Sequence, residues 1–358
     1  MSFIICVLLR RAASSQKEHN MKKKVVSVVL ALSMMAGVAS CGSQTGASDE
    51  TTDAAATTTT TTVAEATEES SEETASEEAS DSLYPLTYED AYGNVVTIES
   101  EPETVVSVSP ALTEIVYALG AEDKLIGRTD YCDYPEEVLD IPSVGAIDNP
   151  DIEIIAELEP DVVIASSIFS EEAYNSITEL GIPVVIIRDE TTLEGMFDVV
   201  ADVADVIGCH DEGEALVEEL SSELDEIRAN APETDVTVYY CMSYGEYGDY
   251  TAGGDTFIGD IIESAGAVNA AADVSGWSFS AEALVEADPD YILIDEWNYD
   301  GFISTEPYSS LTAVQEGNVI VIDPNLLNRQ GPRNLEAVEL IQEYISGDAD
   351  TAAADEAA

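Results

Sequence analysis

The feature that most constrains this chain is a phrase written twice. IEIIAELEPDVVIA begins at Ile152, and AEALVEADPDYILI begins at Ala281, 129 positions later. Each runs from a helix-like segment through Pro-Asp into an apolar run, and Glu153 and Glu282 both stand seven residues before the proline. A helix followed by a short, continuously apolar strand is the grammar of a parallel sheet covered on both faces. Two copies predict two similar α/β lobes.

The surrounding sequence fits that plan. TVVSVSP, LIGRTD, DVVIAS and PVVIIRD read as strands, and ALTEIVYALGA as a helix whose face is Leu112, Ile115, Val116 and Leu119. After the midpoint, TVYYCMSY, YILIDE and NVIVID read as strands, TFIGDIIESAG and NLEAVELIQEYI as helices. Between the two sets, LEGMFDVVADVADVIG is helical, and DEGEALVEELSSELDEIRANA carries the stripe Leu216, Leu220, Leu224, Ile227. Twenty helical residues span about 30 Å. The expected architecture is two Rossmann-like α/β lobes with mostly parallel sheets, residues 83–208 and 232–347, joined by one long helix at 209–231. Ligands of open α/β sheets sit beyond the strand carboxyl ends, here the cleft between lobes.

Ahead of the lobes, MKKK at Met21 and the apolar run VVSVVLALSMMAGVAS read as a signal peptide over 21–40, too short for a spanning helix of about 20 residues. V-A-S-C is similar to a bacterial lipoprotein box, which makes Cys41 the acylated residue. Acyl chains, at about 0.8 kcal/mol per buried CH₂, would anchor the protein at the membrane. Residues 1–20 have no place in this design and read as an upstream extension before the true start at Met21. From Cys41 to residue 82 the chain is an acidic Thr/Ser-rich tether, too polar to offset its ordering entropy, and residues 348–358 form a similar tail.

Composition excludes several functions. A net charge of −61 argues against nucleic acid, which needs clustered Lys and Arg. Only Lys124, Arg128, Arg188, Arg228, Arg329 and Arg333 are cationic after Ser40. The histidines are His19, in the leader, and His210, at the start of the long charged helix, and one histidine in the mature chain makes a metal cluster or a Ser-His-Asp triad hard to assemble. Cys132, Cys209 and Cys241 show no CxxC spacing, and no phosphate-binding glycine loop surrounds Lys124. The chain does not read as an enzyme. AGGDTFIGD reads as a strand-to-helix turn capped by Asp255 or Thr256.

Candidate ligand residues are the aromatics in strand-end loops: Tyr244, Tyr247 and Tyr250 among glycines, Trp277, and Trp297 directly after YILIDE. They either meet a large flat ligand or cover core edges. Arg329 and Arg333 in RQGPR either donate salt bridges or hold acidic groups of a ligand. Glu153 and Glu282 are either helix-end carboxylates favoured by the macrodipole or, one per lobe, contacts for a partner that grips both lobes.

VVSVSPALTEIVYALGAEDKLIGRTDYCDYP, VGAIDNPDIEIIAELEPDVVIAS, TAGGDTFIGDIIESAG and RQGPR, in that order, resemble the substrate-binding proteins of ATP-binding-cassette importers for cobalamin, haem and ferric siderophores. The resemblance covers the folded region from Leu83 to Ile345. It implies a class III periplasmic-binding-protein fold with one rigid connecting helix, and no cofactor, since the corrinoid or ferric chelate is the ligand. It implies that Glu153 and Glu282 dock into arginine pockets of a permease served by a separate ATPase subunit. YCDYP and YTAGGDTFIGD look most like cobalamin-type members, which implies Tyr131, Tyr250 and Trp277 at a corrinoid and Arg329 near its polar side groups. Trp297 and Arg333 complete the candidate site. A lipid-anchored monomer on the extracytoplasmic face of a bacterial membrane is expected. Ferric siderophore is the second ligand and haem the third, and an adhesion or sensor module reusing the fold is the rival of another class.

Overall fold

The computed structural model describes residues 83–347. The upstream extension, the signal peptide, Cys41, the tether and the acidic tail lie outside the described residues.

The chain opens with an antiparallel hairpin, β1 (Leu86–Glu89) and β2 (Val95–Ile98). There follow β3 (Val105–Ser107), α1 (Pro110–Ala118), β4 (Leu125–Arg128), α2 (Ile152–Leu158), β5 (Val162–Ser166), α3 (Glu171–Thr178) and β6 (Val184–Ile187). Two helices, α4 (Leu193–Ile207) and α5 (His210–Asn230), lead to β7 (Thr237–Cys241). Then come α6 (Phe257–Ser264), β8 (Val268–Asn269), α7 (Ala281–Ala287), β9 (Tyr291–Ile294), α8 (Glu296–Ser304) and α9 (Thr312–Glu316). β10 (Val319–Val321), α10 (Asn325–Asn328) and α11 (Asn334–Ser346) complete the order.

The larger sheets are ordered β4-β3-β5-β6 and β10-β9-β7-β8, and every neighbouring pair in them is parallel. Both faces are covered, so Val162, Val163, Ile164 and Ala165 in succession have no exposed surface. This is why the strands read as unbroken apolar runs rather than alternating ones. Between the sheets, α4 packs along α5. Leu220, Leu224 and Ile227 of α5 are buried, each stabilising the fold by roughly 1.5–3 kcal/mol relative to exposure. α11 returns to this helix, where Gln342 Nε2 donates to Ile227 O at 3.0 Å.

The repeated phrase has one local structure in both lobes. α2 and α7 are each seven residues long. Asp151 caps α2 by accepting from Glu153 N and Ile154 N, and Ser280 caps α7 by accepting from Ala283 N. Both helices end on a non-glycine residue in the left-handed region, Glu159 (φ 48°) and Asp288 (φ 38°).

The structure adds two things to the sequence reading. The β1–β2 hairpin is held by distant partners, with Tyr88 Oη donating to Asp202 Oδ2 at 2.6 Å and Ala91 N to Ile186 O at 2.8 Å. Trp297 lies not in a loop but in the first turn of α8, because Asp295 caps a helix there by accepting from Asn298 N at 3.0 Å. EWNYDGFIS has no strong apolar stripe to announce that helix.

Candidate functional site

The loops leaving the carboxyl ends of the strands carry the candidate residues. After β4, Tyr131 and Tyr134 are 42% and 45% exposed. The inner side of their loop is fixed, since buried Cys132 Sγ lies 3.2 Å from Thr113 Oγ1 of α1 and 3.2 Å from Thr129 Oγ1. With its small residues held inward, the loop leaves the two tyrosines at the surface.

In the second lobe, residues 249–254 run beside 274–279 as a short ribbon. Phe279 N donates to Asp249 O (3.2 Å), Thr251 N to Trp277 O (2.8 Å), Gly253 N to Gly276 O (2.8 Å) and Gly254 N to Val274 O (3.0 Å). Gly253 and Gly254 permit this approach: a Cβ on the first would sit 2.3 Å from Val274 O, and on the second 2.2 Å from Ala272 O. Thr256 then caps α6, accepting from Gly259 N at 3.1 Å. The ribbon sets Tyr250 opposite Ser278 and Trp277 opposite Thr251, so the two aromatics take alternate faces; both are half-buried, and Trp277 packs on the main core. Trp297 is 72% exposed on α8. Tyr244 meets Phe302 edge-on at 5.3 Å and Tyr308 at 5.2 Å, and so covers a core edge.

RQGPR follows α10 and reaches the first lobe. Arg329 Nη1 lies 2.7 Å from Glu114 Oε1 and 2.7 Å from Asp133 Oδ1, while its Nη2 donates to Tyr131 O at 3.2 Å. Arg333 Nη1 lies 3.3 Å from Glu114 Oε1, and its guanidinium stacks 3.9 Å above the Tyr134 ring. Between the arginines, Gln330 accepts from Glu190 N (2.9 Å) and donates to Glu190 O (2.6 Å). Both arginines are thus salt-bridge donors within the protein. Burial pushes the Glu114 carboxyl up, opposed by the Arg329 and Arg333 guanidiniums. Burial also works to lower Arg329, but its bonds to Asp133 and Glu114 outweigh this and hold it above its ordinary value.

Glu114 is the residue that the sequence reading missed. It is 6% exposed, on a helix otherwise buried by apolar side chains. A single carboxylate within ALTEIVYALG was the available signal, because a buried charge demands a partner.

Glu153 and Glu282 occupy the second position of α2 and α7, and both are exposed. Asp151 and Ser280, not the glutamates, supply the cap bonds, so neither glutamate is needed to start its helix. Cys132, Cys209 and Cys241 are free and buried. Among the described residues no group of three or more His, Cys, Asp or Glu could hold a metal ion, and no helix is long and apolar enough to cross a membrane.

The family model described as periplasmic binding protein matches residues 105–326. The chain is 33% identical over 275 residues to the uncharacterized ABC transporter substrate-binding lipoprotein YvrC of Bacillus subtilis, covering 74% of this chain and 87% of the relative. It is 30% identical over 269 residues to a cobalamin-binding protein of Halobacterium salinarum, covering 71% and 72%. Its structure is similar to that of the periplasmic heme-binding protein RhuT from Roseiflexus, with a TM-score of 0.63 and 26% identity, covering 69% of this chain and 99% of that one.

Proposed function

Because this chain belongs to the periplasmic binding protein family, we propose that the ligand held between its lobes is a corrinoid. The resemblance drawn from the ordered motifs holds, and the chain is a solute-binding component of an ATP-binding-cassette importer, not an enzyme. The observation that carries the corrinoid reading is the ribbon at the carboxyl end of the second sheet, whose backbone hydrogen bonds fix Tyr250 on one face and Trp277 on the other. An aromatic side chain fixed in this way meets a broad ring system with little ordering cost on binding. The relative named as a cobalamin-binding protein supports the same choice. In this reading Tyr131 of the first lobe and Trp297 of α8 also face the corrinoid, with Arg329, which donates to Tyr131 O, beside them.

Haem is the second reading, favoured by the structural likeness to RhuT. His210, the sole histidine among the described residues, starts α5 beside Asp205, far in sequence from these loops. Axial ligation of haem would therefore fall to tyrosine.

Delivery follows from the two glutamates. Glu153 and Glu282, exposed at matching places, dock the loaded protein on its permease, and acylation of Cys41 keeps the monomer at the extracytoplasmic membrane face. The likeness to a substrate-binding lipoprotein supports that location.

The test is a titration of the full chain with cobinamide, cobalamin, haem and ferric siderophores, read by tryptophan fluorescence and calorimetry. One-to-one corrinoid binding, weakened by Tyr250→Ala and by Trp277→Ala, is expected. Preference for haem or a ferric siderophore would replace the ligand and leave the transport role.

A further inference from the structure

The charge balance at the lobe junction bears on which chelates can enter. Lys124, Arg128, Arg228, Arg329 and Arg333 face protein acceptors, although Arg333 Nε is buried without a hydrogen bond. Lys124 bonds Glu101 and two carbonyls, and Arg128 bonds the carbonyls of Thr129 and Val138. Arg228 bonds Glu194 and Ser264.

Arg329 and Arg333 touch the candidate loop after β4, through Tyr131 O and the Tyr134 ring. Their side chains are only 12% and 16% exposed, and together they meet four carboxylates, Glu114, Asp133, Asp323 and Glu336, within 4.0 Å. Two guanidiniums against four carboxylates leave the junction negative, and Asp133 and Asp323 are about half-exposed there, at 57% and 46%. Glu114 belongs to α1 of the first lobe, whereas both arginines follow β10 of the second.

We propose that Glu114, Arg329 and Arg333 clasp the two lobes rather than hold acid groups of a ligand, and that the cleft consequently takes neutral or cationic metal chelates and rejects those bearing free carboxylates. This rests on the reading of the inter-lobe cleft as the ligand site. A ligand carboxylate entering beside Asp133 would meet like charge, and could gain a guanidinium only by displacing a buried partner from it. Amide side groups carry no such penalty and can donate to the exposed carboxylates.

The full chain is titrated with cobinamide and with cobyrinic acid, which has carboxylates in place of the side-chain amides on the same ring. Haem and its dimethyl ester form a second matched pair, and each pair is measured at low and high salt. Cobinamide is expected to bind more than about 10-fold tighter than cobyrinic acid, with the gap narrowing as salt screens the like charges. Arg329→Lys, which keeps the charge and loses the forked bonds to Glu114 and Asp133, should weaken both members of a pair by the same factor, as loss of a clasp does. Asp133→Asn, a milder change, should raise affinity for cobyrinic acid relative to cobinamide. Equal or tighter binding of the acid, or an Arg329→Lys defect confined to it, overturns the proposal. Failure of both corrinoids with the haem ester outbinding haem would end the corrinoid reading and keep the charge rule.

Discussion

Asp161 and Asp290 make the same three hydrogen bonds to a threonine in the two lobes. Asp161 Oδ2 accepts from Thr104 N and Thr104 Oγ1, both at 2.9 Å, while Asp161 N donates to Thr104 Oγ1 at 3.1 Å. Asp290 Oδ2 accepts from Thr237 N and Thr237 Oγ1, both at 2.8 Å, while Asp290 N donates to Thr237 Oγ1 at 3.0 Å. Each is the aspartate of a repeated Pro-Asp, and each pins the residue at the start of a neighbouring strand, β3 or β7.

Loss of this clip should weaken each lobe. Asp161→Ala is expected to lower stability by about 1 kcal/mol, the typical net worth of an exposed hydrogen-bonded group, and Asp290→Ala by a similar amount, measured by urea unfolding. The Asp161 carboxyl is held below its usual range: slight burial works to raise it, but the Thr104 hydroxyl and the Glu103 and Thr104 amides outweigh that. A depressed folded-state pKa gives stability that is present above the unfolded value, about 3.9, and lost as pH falls through the folded value. Asp161→Asn should therefore flatten part of the acid limb of the stability profile.

The paired glutamates give a functional prediction. Glu153→Ala with Glu282→Ala should leave ligand affinity intact, since both side chains are exposed on short helices capped by Asp151 and Ser280. Stimulation of the importer's ATPase by the loaded protein should be abolished. Normal stimulation in reconstituted vesicles would remove the docking role.

Gly253 and Gly254 link packing to binding. Gly253→Ala places a methyl 2.3 Å from Val274 O, and the ribbon must open to admit it. The expected cost is about 1–3 kcal/mol, the range for overpacking, with a loss of ligand affinity because the ribbon no longer fixes Tyr250 and Trp277. Calorimetry on the variant, with thermal unfolding as the control, separates the two effects.

His210 predicts a pH effect at the opposite end of the range. Its Nδ1 lies 2.6 Å from Asp205 Oδ1 and its Nε2 3.5 Å from Glu214 Oε1, and its pKa is raised, chiefly by the bond to Asp205. A raised folded-state pKa contributes stability fully present below the unfolded value, about 6.5, and lost as pH rises through the folded value. The imidazole resonances should titrate with a midpoint above that of a free histidine. Asp205→Asn should return the midpoint toward it.

What the sequence by itself determined was whatever depends on neighbours along the chain. Periodicity marked α1, α5 and α11, the unbroken apolar runs marked the parallel strands, and the repeated phrase marked one αβ unit in each lobe, because helix faces, caps and strand burial are written within a few residues. Tertiary structure alone decided what joins distant segments. Arg329 and Glu114 are 215 residues apart, and nothing local announces that they pair. The β1–β2 hairpin depends on Asp202 and Ile186, more than ninety residues onward. Trp297 and Tyr244 both read as strand-end aromatics, yet one is exposed on a helix and the other covers a core edge beside Phe302 and Tyr308. The physical reason is the same in each case: a side chain's type fixes what it needs, a charge partner or an apolar neighbour, and only the folded chain supplies the residue that meets the need.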